Sequence, residues 1–314
     1  FLSGYAFLFP GQGSQSVGML AQAAGEFPCV GETFEEASEA LGYDLWALVR
    51  NGPEEQLILT EFTQPAILTA SIALHRCWSL AGGAVPEFVA GHSLGEYSAL
   101  VVAGSLSLHD AAKLVQTRGR AMQGAVPAGE GAMAAVLGLS DAVIDEVCIT
   151  HCEDDAYVGA VNYNSPGQVV IAGHAAAVSA ATAFMKEAGA KRVLPLPVSA
   201  PFHTPLMQPA AAVMAEALQD IELSDAQIPV ISNVDAQPHR KATEIRSLLV
   251  RQVSEPVMWT QCVMTLLQAG CHHFLECGPG KILTGLVKRI DRDANCIALE
   301  DPVALTNAVN EYFV

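Results

Sequence analysis

The sequence predicts an α/β protein with two parts: a larger domain on a mostly parallel sheet, and a smaller subdomain inserted into it. The 314 residues exceed what one hydrophobic core usually serves, and 51% of them are apolar. Short strand-like stretches alternate with longer helical ones, an order typical of parallel sheets covered by helices. Residues 131–197 change to the order β-α-β-β-α-β, which is the ferredoxin-like pattern.

The elements of the larger domain follow from apolar spacing and from glycine and proline stops. Before the insertion we predict a strand at 5–9, a turn at 10–15, a helix at 64–80, a strand at 88–90 that leads into a helix, and a helix near 107–124. After it we predict a helix around 205–219, a strand at 229–232, helices around 243–252 and 258–269, a strand at 273–276, and a helix after the turn at 278–280.

The inserted subdomain is predicted from its compact order and a strong turn. We predict strands at 132–139, 157–163, 168–172 and 191–196, with helices at 141–152 and 175–189. Residues 164–167 (NSPG) join the two middle strands as a turn. With joints near 127–130 and 197–200, the larger domain takes residues 1–128 and 199–314, and the ferredoxin-like subdomain takes 129–198.

Charge and hydropathy exclude two classes of partner. The formal net charge is −17, and only 16 residues are Lys or Arg. Binding to a nucleic-acid backbone depends on clustered cations, so we expect no nucleic-acid partner. No stretch reaches the roughly 18 apolar residues of a membrane span, so we expect no membrane partner. The sequence does not begin with Met, which leaves open whether a short targeting segment was removed.

The eight cysteines indicate reduced thiols in a cytoplasmic protein. They contain no C-x-x-C pair and no short disulfide framework. Cys148 with His151 and Cys152, and residues 271–273 (CHH), lack the paired spacing of a zinc site. We therefore expect no metal.

Residues 91–95 (GHSLG) form a G-x-S-x-G motif between an apolar strand and a small-residue helix. Such a strand, turn and helix lift the Ser93 hydroxyl clear of the backbone at a helix N-terminus, so the larger domain is predicted to be α/β-hydrolase-like. The alternative is a serine that only packs a helix onto a strand in a glycine-rich chain. The context favours a nucleophile that forms an acyl-serine.

A serine nucleophile needs a base, and His203 is the best candidate among nine histidines. It lies in an irregular segment between two prolines, directly after the insertion, although an exposed loop histidine would have the same setting. The acids between Ser93 and His203 fall in or beside helices of the subdomain: Asp141, Asp145, Asp154 and Asp155. Because none is well placed, we expect a backbone carbonyl to orient the imidazole, which gives a dyad.

Several separated motifs together resemble the malonyl-CoA:acyl-carrier-protein transacylases of fatty-acid synthesis and, more widely, the acyltransferase domains of polyketide synthases. The matching stretches are 9–15 (FPGQGSQ), 63–66 (TQPA), 91–99 (GHSLGEYSA), 118–122 (RGRAM), 162–168 (NYNSPGQ), 199–203 (SAPFH) and 276–280 (ECGPG). Seven motifs in the family's order make the resemblance highly specific.

The resemblance implies that Ser93 takes the malonyl group and that His203 is its general base. It also implies that the backbone N–H groups of Gln12 and Leu94 form the oxyanion hole, and that the carbonyl of Gln252 orients His203. The oxyanion assignment agrees with physical expectation, since Leu94 follows the nucleophile and Gln12 lies in a glycine-flanked loop.

Arg118 is the candidate for substrate recognition, because a planar guanidinium can bind the free carboxylate of malonate through two parallel hydrogen bonds. Arg120 is the nearby competitor, and we expect it to be a surface or packing residue. A bulky Phe202 is expected to limit the size of the acyl pocket. Three further polar residues are candidates for either structural hydrogen bonding or a direct role: Gln64, His92 and Asn162.

The partners that the resemblance implies are malonyl-CoA and acyl carrier protein, with no cofactor. An acidic carrier protein needs a local basic patch on this acidic chain. The candidates are Lys186, Lys191, Arg192, Lys281, Lys288 and Arg289. Four alternatives stay open: a trans-acting polyketide-synthase acyltransferase, a serine esterase, a thioesterase and an idle docking module. A free-standing chain with Leu94 after the serine favours fatty-acid synthesis over polyketide synthesis.

Overall fold

Two sheets form the framework of the protein in a computed structural model, which describes residues 4–153 and 155–313. The larger sheet consists of β1 (Tyr5–Phe9), β2 (Phe88–Gly91), β7 (Val230–Ile231), β8 (Pro238–His239), β9 (His273–Glu276) and β10 (Asn295–Ala298). Its order is β10-β9-β1-β2-β7-β8, and every pair is parallel except the last, β7 with β8. This confirms the predicted α/β class with a mostly parallel sheet.

The second sheet is antiparallel throughout. It consists of β3 (Gly131–Leu137), β4 (Val158–Ser165), β5 (Gln168–His174) and β6 (Arg192–Pro195), in the order β4-β5-β3-β6. The β4 strand also joins the rest of the protein, because the N–H of Tyr163 donates to the carbonyl of Val257 at 3.0 Å and the N–H of Val257 to that of Val161 at 2.8 Å.

Helices cover both sheets. In chain order they are α1 (Ala21–Glu26), α2 (Cys29–Leu41), α3 (Leu45–Asn51), α4 (Glu54–Leu57), α5 (Thr60–Leu80), α6 (Gly95–Val102), α7 (Leu108–Gly124), α8 (Asp141–Thr150), α9 (Ala175–Glu187), α10 (Gln208–Gln219), α11 (Ala242–Gln252), α12 (Trp259–Gln268), α13 (Ile282–Ile290) and α14 (Pro302–Phe313).

The central strand β1 is buried along its whole length, as expected for a parallel strand covered on both faces. Phe7 and Phe9 point to the core on the α5 side, where the ring of Trp78 lies 5.5 Å from that of Phe7. Ala6 and Leu8 point to the opposite core, which contains Trp259 from α12. The two-residue period of a strand thus divides one apolar run between two cores.

In the small sheet, alternate residues of β3 likewise face two different cores. On β3, Ala134 and Val136 pack with Ile144 of α8 in a core of their own. Met133 directly precedes Ala134, so its side chain lies on the opposite face of β3, where it belongs to the core of the larger domain and lines the candidate site. The small sheet therefore supplies one wall of that site.

The structure differs from the sequence prediction mainly where no element was assigned. The four helices α1 to α4 fill residues 21–57, and β10 and α14 follow α13. The predicted helix at 64–80 begins earlier, at Thr60, and Pro65 lies inside it. The predicted helix at 205–219 begins as a 3-10 turn at Pro205–Met207 before α10 starts.

The parallel strands bring distant loops to one edge of the larger sheet. The loops that follow β1, β2, β7 and β9 all leave from the carboxyl ends of parallel neighbours. At the end of β9, the buried carboxylate of Glu276 accepts hydrogen bonds from the N–H groups of Leu283 and Thr284, at 3.0 and 2.7 Å. Glu276 therefore holds the N-terminus of α13 against this edge.

We expect Glu276→Ala to lower the free energy of unfolding by about 2–4 kcal/mol, because buried N–H groups lose a charged acceptor. Chemical denaturation followed by circular dichroism measures the change. Glu311→Ala, on an exposed part of α14, is the matched control and should cost less than about 0.5 kcal/mol. Equal effects of the two substitutions would show that the capping contacts of Glu276 contribute nothing.

Candidate active site

Ser93 occupies a sharp turn between β2 and α6. Its backbone φ is 51°, in the left-handed region that residues other than glycine seldom adopt. The flanking glycines allow this turn, because a Cβ on Gly91 would overlap the backbone of Gly95, and one on Gly95 would overlap the carbonyl of Phe9. The G-x-S-x-G spacing is thus explained by close backbone contacts around a half-buried nucleophile.

Ser93 and His203 lie within hydrogen-bonding distance, with 2.8 Å between Oγ and Nε2. The Nδ1 atom of His203 lies 2.8 Å from the main-chain carbonyl oxygen of Gln252. A carbonyl can only accept, so Nδ1 carries the proton and Nε2 is free to accept the proton of the serine hydroxyl. His203 has a φ of 61°, and it is buried. The carbonyl thus fixes the imidazole in the tautomer that a general base needs.

No described side-chain carboxylate bonds to the His203 ring. Among the acids considered from the sequence, Asp145 instead accepts a hydrogen bond from the Tyr163 hydroxyl at 2.7 Å. Asp154 lies outside the described residues. The geometry therefore matches the expected dyad with a backbone carbonyl, rather than a triad.

Burial lowers the pKa of His203 to about 3, and the positive charge of Arg118 acts in the same direction. The imidazole therefore stays neutral well below its ordinary pKa of about 6.5. Burial has the opposite effect on the nearby Glu96 carboxyl, whose pKa it raises to about 7. Two groups of the site thus have their ordinary titration ranges displaced in opposite directions.

We expect the rate of Ser93 acylation in a Glu96→Gln background to stay constant within about two-fold from pH 8 to pH 5. The background removes the Glu96 titration, which falls in the same range. A base with the ordinary histidine pKa of about 6.5 would lose about 30-fold over this interval. Quenched-flow mass spectrometry of the acyl-enzyme measures the rate, and a 30-fold fall would contradict the depressed pKa.

Two residues with backbone N–H groups unpaired in the described part of the chain line the cavity that contains Ser93. Gln12 and Leu94 line the same cavity as Ser93, Gln12 after β1 and Leu94 at the start of α6. Neither backbone N–H has an acceptor among the described residues, whereas the neighbouring N–H of His92 donates to Phe9 at 3.0 Å. The side chain of Gln12 is held by the hydroxyl of Thr60, at 3.4 Å. These two donors can stabilise an oxyanion next to the serine.

The guanidinium of Arg118 lies against the nucleophile. It is 1% exposed, and its Nη2 donates to the Ser93 Oγ at 3.2 Å. Its Nη1 donates to the Oε1 of Gln64 and its Nη2 to the Oε1 of Gln252, both at 2.9 Å. Burial lowers the pKa of Arg118, and the nearby Glu96 counteracts part of this effect. A buried cation beside a nucleophile can bind a carboxylate strongly.

Arg120 has a different setting, as the sequence predicted. Its side chain is 61% exposed and pairs with Glu61 at 2.7 Å on the surface. It does not line the cavity that contains Ser93.

The remaining predicted residues surround the same cavity, which has a volume of about 110 Å³. Gln64, His92, Asn162 and Phe202 all line it. The Nε2 of His92 lies 2.7 Å from the Oδ1 of Asn164, a contact that the sequence analysis missed. The Oδ1 of Asn162 is buried and has no hydrogen-bond partner in the described part of the chain. Asn162 is therefore free to accept a donor from a bound molecule.

A buried polar network behind the dyad was also missed. Glu96, 3% exposed, accepts hydrogen bonds from the backbone N–H of Asn233 at 3.1 Å and from the Nε2 of Gln252 at 2.8 Å. Asn233 accepts from the N–H of Ser93 and donates to the carbonyl of Gly91, both at 2.7 Å. The network fixes the backbone of the turn that carries the nucleophile.

All six cations considered for carrier-protein docking are exposed. Lys191 and Arg192 lie at the β6 edge of the small sheet, whereas α13 with Lys288 packs against β4 at the opposite edge. The width of this four-stranded sheet is about 14 Å at a usual strand spacing of about 4.8 Å. Lys191 and Arg192 on one side and α13 on the other thus lie at opposite edges of the small sheet.

Within residues 4–153 and 155–313, no group of three or more His, Cys, Asp or Glu side chains is placed to hold a metal ion. No helix in these residues is long and apolar enough to cross a membrane. The eight cysteines, all among these residues, are free thiols.

The chain is similar to known acyltransferases over nearly its whole length. The family model of the acyl transferase domain matches residues 6–300. The malonyl CoA-acyl carrier protein transacylase of Salmonella typhimurium is 54% identical over 307 residues, which cover 98% of this chain and 99% of the relative. The protein of that name from Bacillus subtilis is 45% identical, with coverage of 98% and 97%.

Solved structures give the same result. The malonyl CoA-acyl carrier protein transacylase of Coxiella burnetii matches with a TM-score of 0.96 at 48% identity, covering 98% of this chain and 97% of the other. A malonyl-transacylase solved in complex with its type II polyketide acyl-carrier protein matches with a TM-score of 0.96 at 50% identity, covering 98% and 100%. The chain therefore belongs to the acyl transferase family, and within it to the malonyl CoA-acyl carrier protein transacylases.

Proposed function

We propose that this enzyme transfers the malonyl group of malonyl-CoA to the phosphopantetheine thiol of acyl carrier protein, through a malonyl-Ser93 intermediate. One observation carries the proposal: the Ser93 hydroxyl lies between a neutral His203, at 2.8 Å, and a buried guanidinium, at 3.2 Å. The first contact activates a nucleophile for acyl transfer, and the second selects an acyl group that ends in a carboxylate.

In the first half-reaction the Ser93 Oγ attacks the thioester carbonyl, and its proton passes to the Nε2 of His203. The N–H groups of Gln12 and Leu94 stabilise the negative charge on the carbonyl oxygen. The C–S bond then breaks, and His203 returns the proton to the sulfur of CoA. Malonyl-Ser93 remains. The proton that left Ser93 ends on CoA, so this step requires no external cofactor.

The second half-reaction repeats these steps in reverse with a new thiol. His203 accepts the proton of the phosphopantetheine thiol, whose sulfur attacks the ester carbonyl of malonyl-Ser93. The C–O bond breaks, and His203 protonates the Ser93 oxygen. This sequence is a ping-pong mechanism, because CoA leaves before the carrier protein reacts.

Arg118 binds the free malonyl carboxylate in this mechanism. Gln64 and Gln252 hold the guanidinium through its Nη1 and Nη2 atoms, so that its position is set before substrate arrives. The small cavity volume, about 110 Å³, suits a short acyl group. Phe202, which lines the cavity, restricts the space for a branch methyl group such as that of methylmalonate.

The enzyme is proposed to serve fatty-acid synthesis in the cytoplasm. The similarity to a malonyl-transacylase in complex with a type II polyketide carrier protein supports a second candidate, a trans-acting acyltransferase of polyketide synthesis. Rates of transfer to a fatty-acid carrier protein and to a polyketide carrier protein, measured side by side, distinguish the two. Preference for the polyketide carrier would overturn the first assignment.

Mass spectrometry after mixing with malonyl-CoA tests the mechanism itself. We expect a stable adduct of one malonyl group on Ser93 that disappears when carrier protein is added. Rapid release of free malonate without carrier protein would instead indicate a serine esterase or thioesterase. Absence of any adduct would indicate a docking module without catalysis.

We further propose that acyl carrier protein docks between the two groups of exposed cations. We expect reversal of charge at Lys191, Arg192 and Lys288 together to slow transfer to carrier protein about 10-fold at low salt, because long-range attraction accelerates association. Stopped-flow or single-turnover transfer from the malonyl-enzyme measures this step alone. Lys113→Glu, at an exposed position on α7, is the control, and an unchanged rate in the triple variant would exclude this docking site.

The domain assignment is part of the same proposal. The strand order β4-β5-β3-β6, with α8 and α9 on one face, supports a ferredoxin-like subdomain at 129–198. The turn at Ser93 between a parallel strand and a helix supports an α/β-hydrolase-like larger domain at 1–128 and 199–314. Residues 1–3 and 314 of that assignment lie outside the described residues.

A further inference from the structure

Glu96 provides the negative charge behind Arg118 without touching it. Among the described residues, only Glu96 and Glu276 are buried acids, and Glu276 caps α13 away from the dyad. The side-chain amide of Gln252 lies between Glu96 and Arg118. Its Nε2 donates to the Glu96 carboxylate at 2.8 Å, and its Oε1 accepts from the Arg118 Nη2 at 2.9 Å.

A buried guanidinium needs a compensating charge, because removal of an ion from water is costly. A carboxylate in direct contact with Arg118 would satisfy that need. It would also neutralise the positive charge that attracts a substrate carboxylate, and it would compete with that carboxylate for the guanidinium. No described carboxylate is within ion-pair distance of Arg118. The amide of Gln252 accepts from one Nη2 donor but carries no charge, so Glu96 compensates Arg118 from a distance and the guanidinium keeps its positive charge for a substrate carboxylate.

We propose that Gln252 is a spacer that holds Glu96 one amide away from Arg118, and that this spacing sets the preference for malonyl over uncharged acyl groups. This inference rests on the proposed function. Glu96 and Gln252 are positioning residues in it, since both act on the substrate through Arg118. The main-chain carbonyl of Gln252 has a separate task in orienting His203, and a side-chain substitution leaves that carbonyl in place.

The decisive variant exchanges the two side chains, Glu96→Gln together with Gln252→Glu. It keeps the net charge and the number of side-chain atoms almost unchanged, but it places the carboxylate against Arg118 and the amide behind it. We expect kcat/KM for malonyl-CoA to fall about 100-fold, because the new carboxylate competes with the malonyl group for the guanidinium. The reaction with acetyl-CoA should fall far less, so the malonyl-to-acetyl ratio is the readout.

The exchange also removes the hydrogen bond that the Nε2 of Gln252 donates to the Ser93 carbonyl at 3.0 Å. The acetyl reaction measures that loss separately, because acetyl-CoA depends on the Ser93 turn and not on a carboxylate contact. An unchanged malonyl-to-acetyl ratio in the folded variant would overturn the proposal.

Glu96→Gln alone provides a test in the opposite direction. Both hydrogen bonds to Glu96 end on one oxygen, Oε2, so the amide oxygen of the variant can accept both. Arg118 then keeps its position but loses its counter-charge, and we expect the inhibition constant of free malonate, measured at pH 8 where Glu96 is mostly ionised, to fall at least three-fold. A role of Glu96 in packing alone predicts weaker malonate binding, which would contradict the proposal even if the exchange variant fails to fold.

Glu61→Gln, in the exposed pair with Arg120, is the control for removal of one acidic charge and should change neither measurement. The wild-type protein separates this inference from the proposed function. If the wild type forms no malonyl adduct, the proposed function fails. If it does and the two variants leave selectivity and malonate binding unchanged, only the spacer inference fails.

Discussion

Ser93→Ala should lower the rate of malonyl transfer by on the order of 10⁵, and addition of His203→Ala should lower it no further. The two side chains act as one unit, because His203 has no proton to accept when the hydroxyl is absent. The remaining rate then comes from the oxyanion donors and from binding alone. Two independent contributions would multiply instead, and the double variant would be far slower than either single variant.

Single-turnover transfer with quenched samples measures these rates, and the single variant His203→Ala completes the cycle. Ser98→Ala is the matched control, because Ser98 is a fully buried serine on the same helix α6. It should lose less than a few-fold of activity. A double variant at least 100-fold slower than Ser93→Ala would contradict the dyad as a single unit. A change at Ser98 of similar size to that at Ser93 would show that Ser93→Ala acts through packing.

Much of the fold was predictable because its central elements carry strong local signals. The strand at 5–9 is an uninterrupted apolar run, and the turn at 164–167 has both Pro and Gly between two strand-like stretches. The helices α3 and α4 have only seven and four residues, and helices this short depend on tertiary packing rather than on local sequence. The helix α2 could have been predicted, because Val30, Phe34 and Ala37 recur at helical spacing and are buried.

The candidate site was predictable where motifs name its residues, and not where contacts are made through space. Asn233 had a usable signal, because it follows the predicted strand at 229–232 at the carboxyl edge of the sheet. Glu96 had a weaker sequence signal, because it is a single acid at the start of an apolar helix. Nothing in the sequence indicated the side-chain contacts of Gln252, because its partners Arg118 and Glu96 are more than a hundred residues away in the chain.

Arg118→Ala should lower kcat/KM for malonyl-CoA by about 10²–10⁴ and leave kcat/KM for acetyl-CoA unchanged or increased. The malonyl carboxylate loses two charge-assisted hydrogen bonds and is left buried without a partner. Acetyl-CoA has no carboxylate to lose. The base is also strengthened, because the charge of Arg118 helps to lower the pKa of His203. Parallel assays with the two thioesters give the ratio that decides the role of Arg118.

Arg120→Ala is the matched control for Arg118→Ala. Arg120 lies on the same helix, two residues after Arg118, but its side chain is on the surface. It should leave the malonyl-to-acetyl ratio unchanged, since an exposed ion pair contributes little. Burial raises the pKa of Glu96 to about 7, so the Glu96 carboxyl can take up a proton when the charge of Arg118 is removed. The Arg118→Ala variant therefore does not have to bury an unpaired negative charge. Equal losses with malonyl-CoA and acetyl-CoA would therefore mean that Arg118 supports the nucleophile through its 3.2 Å contact with Ser93, and that carboxylate recognition lies elsewhere in the cavity.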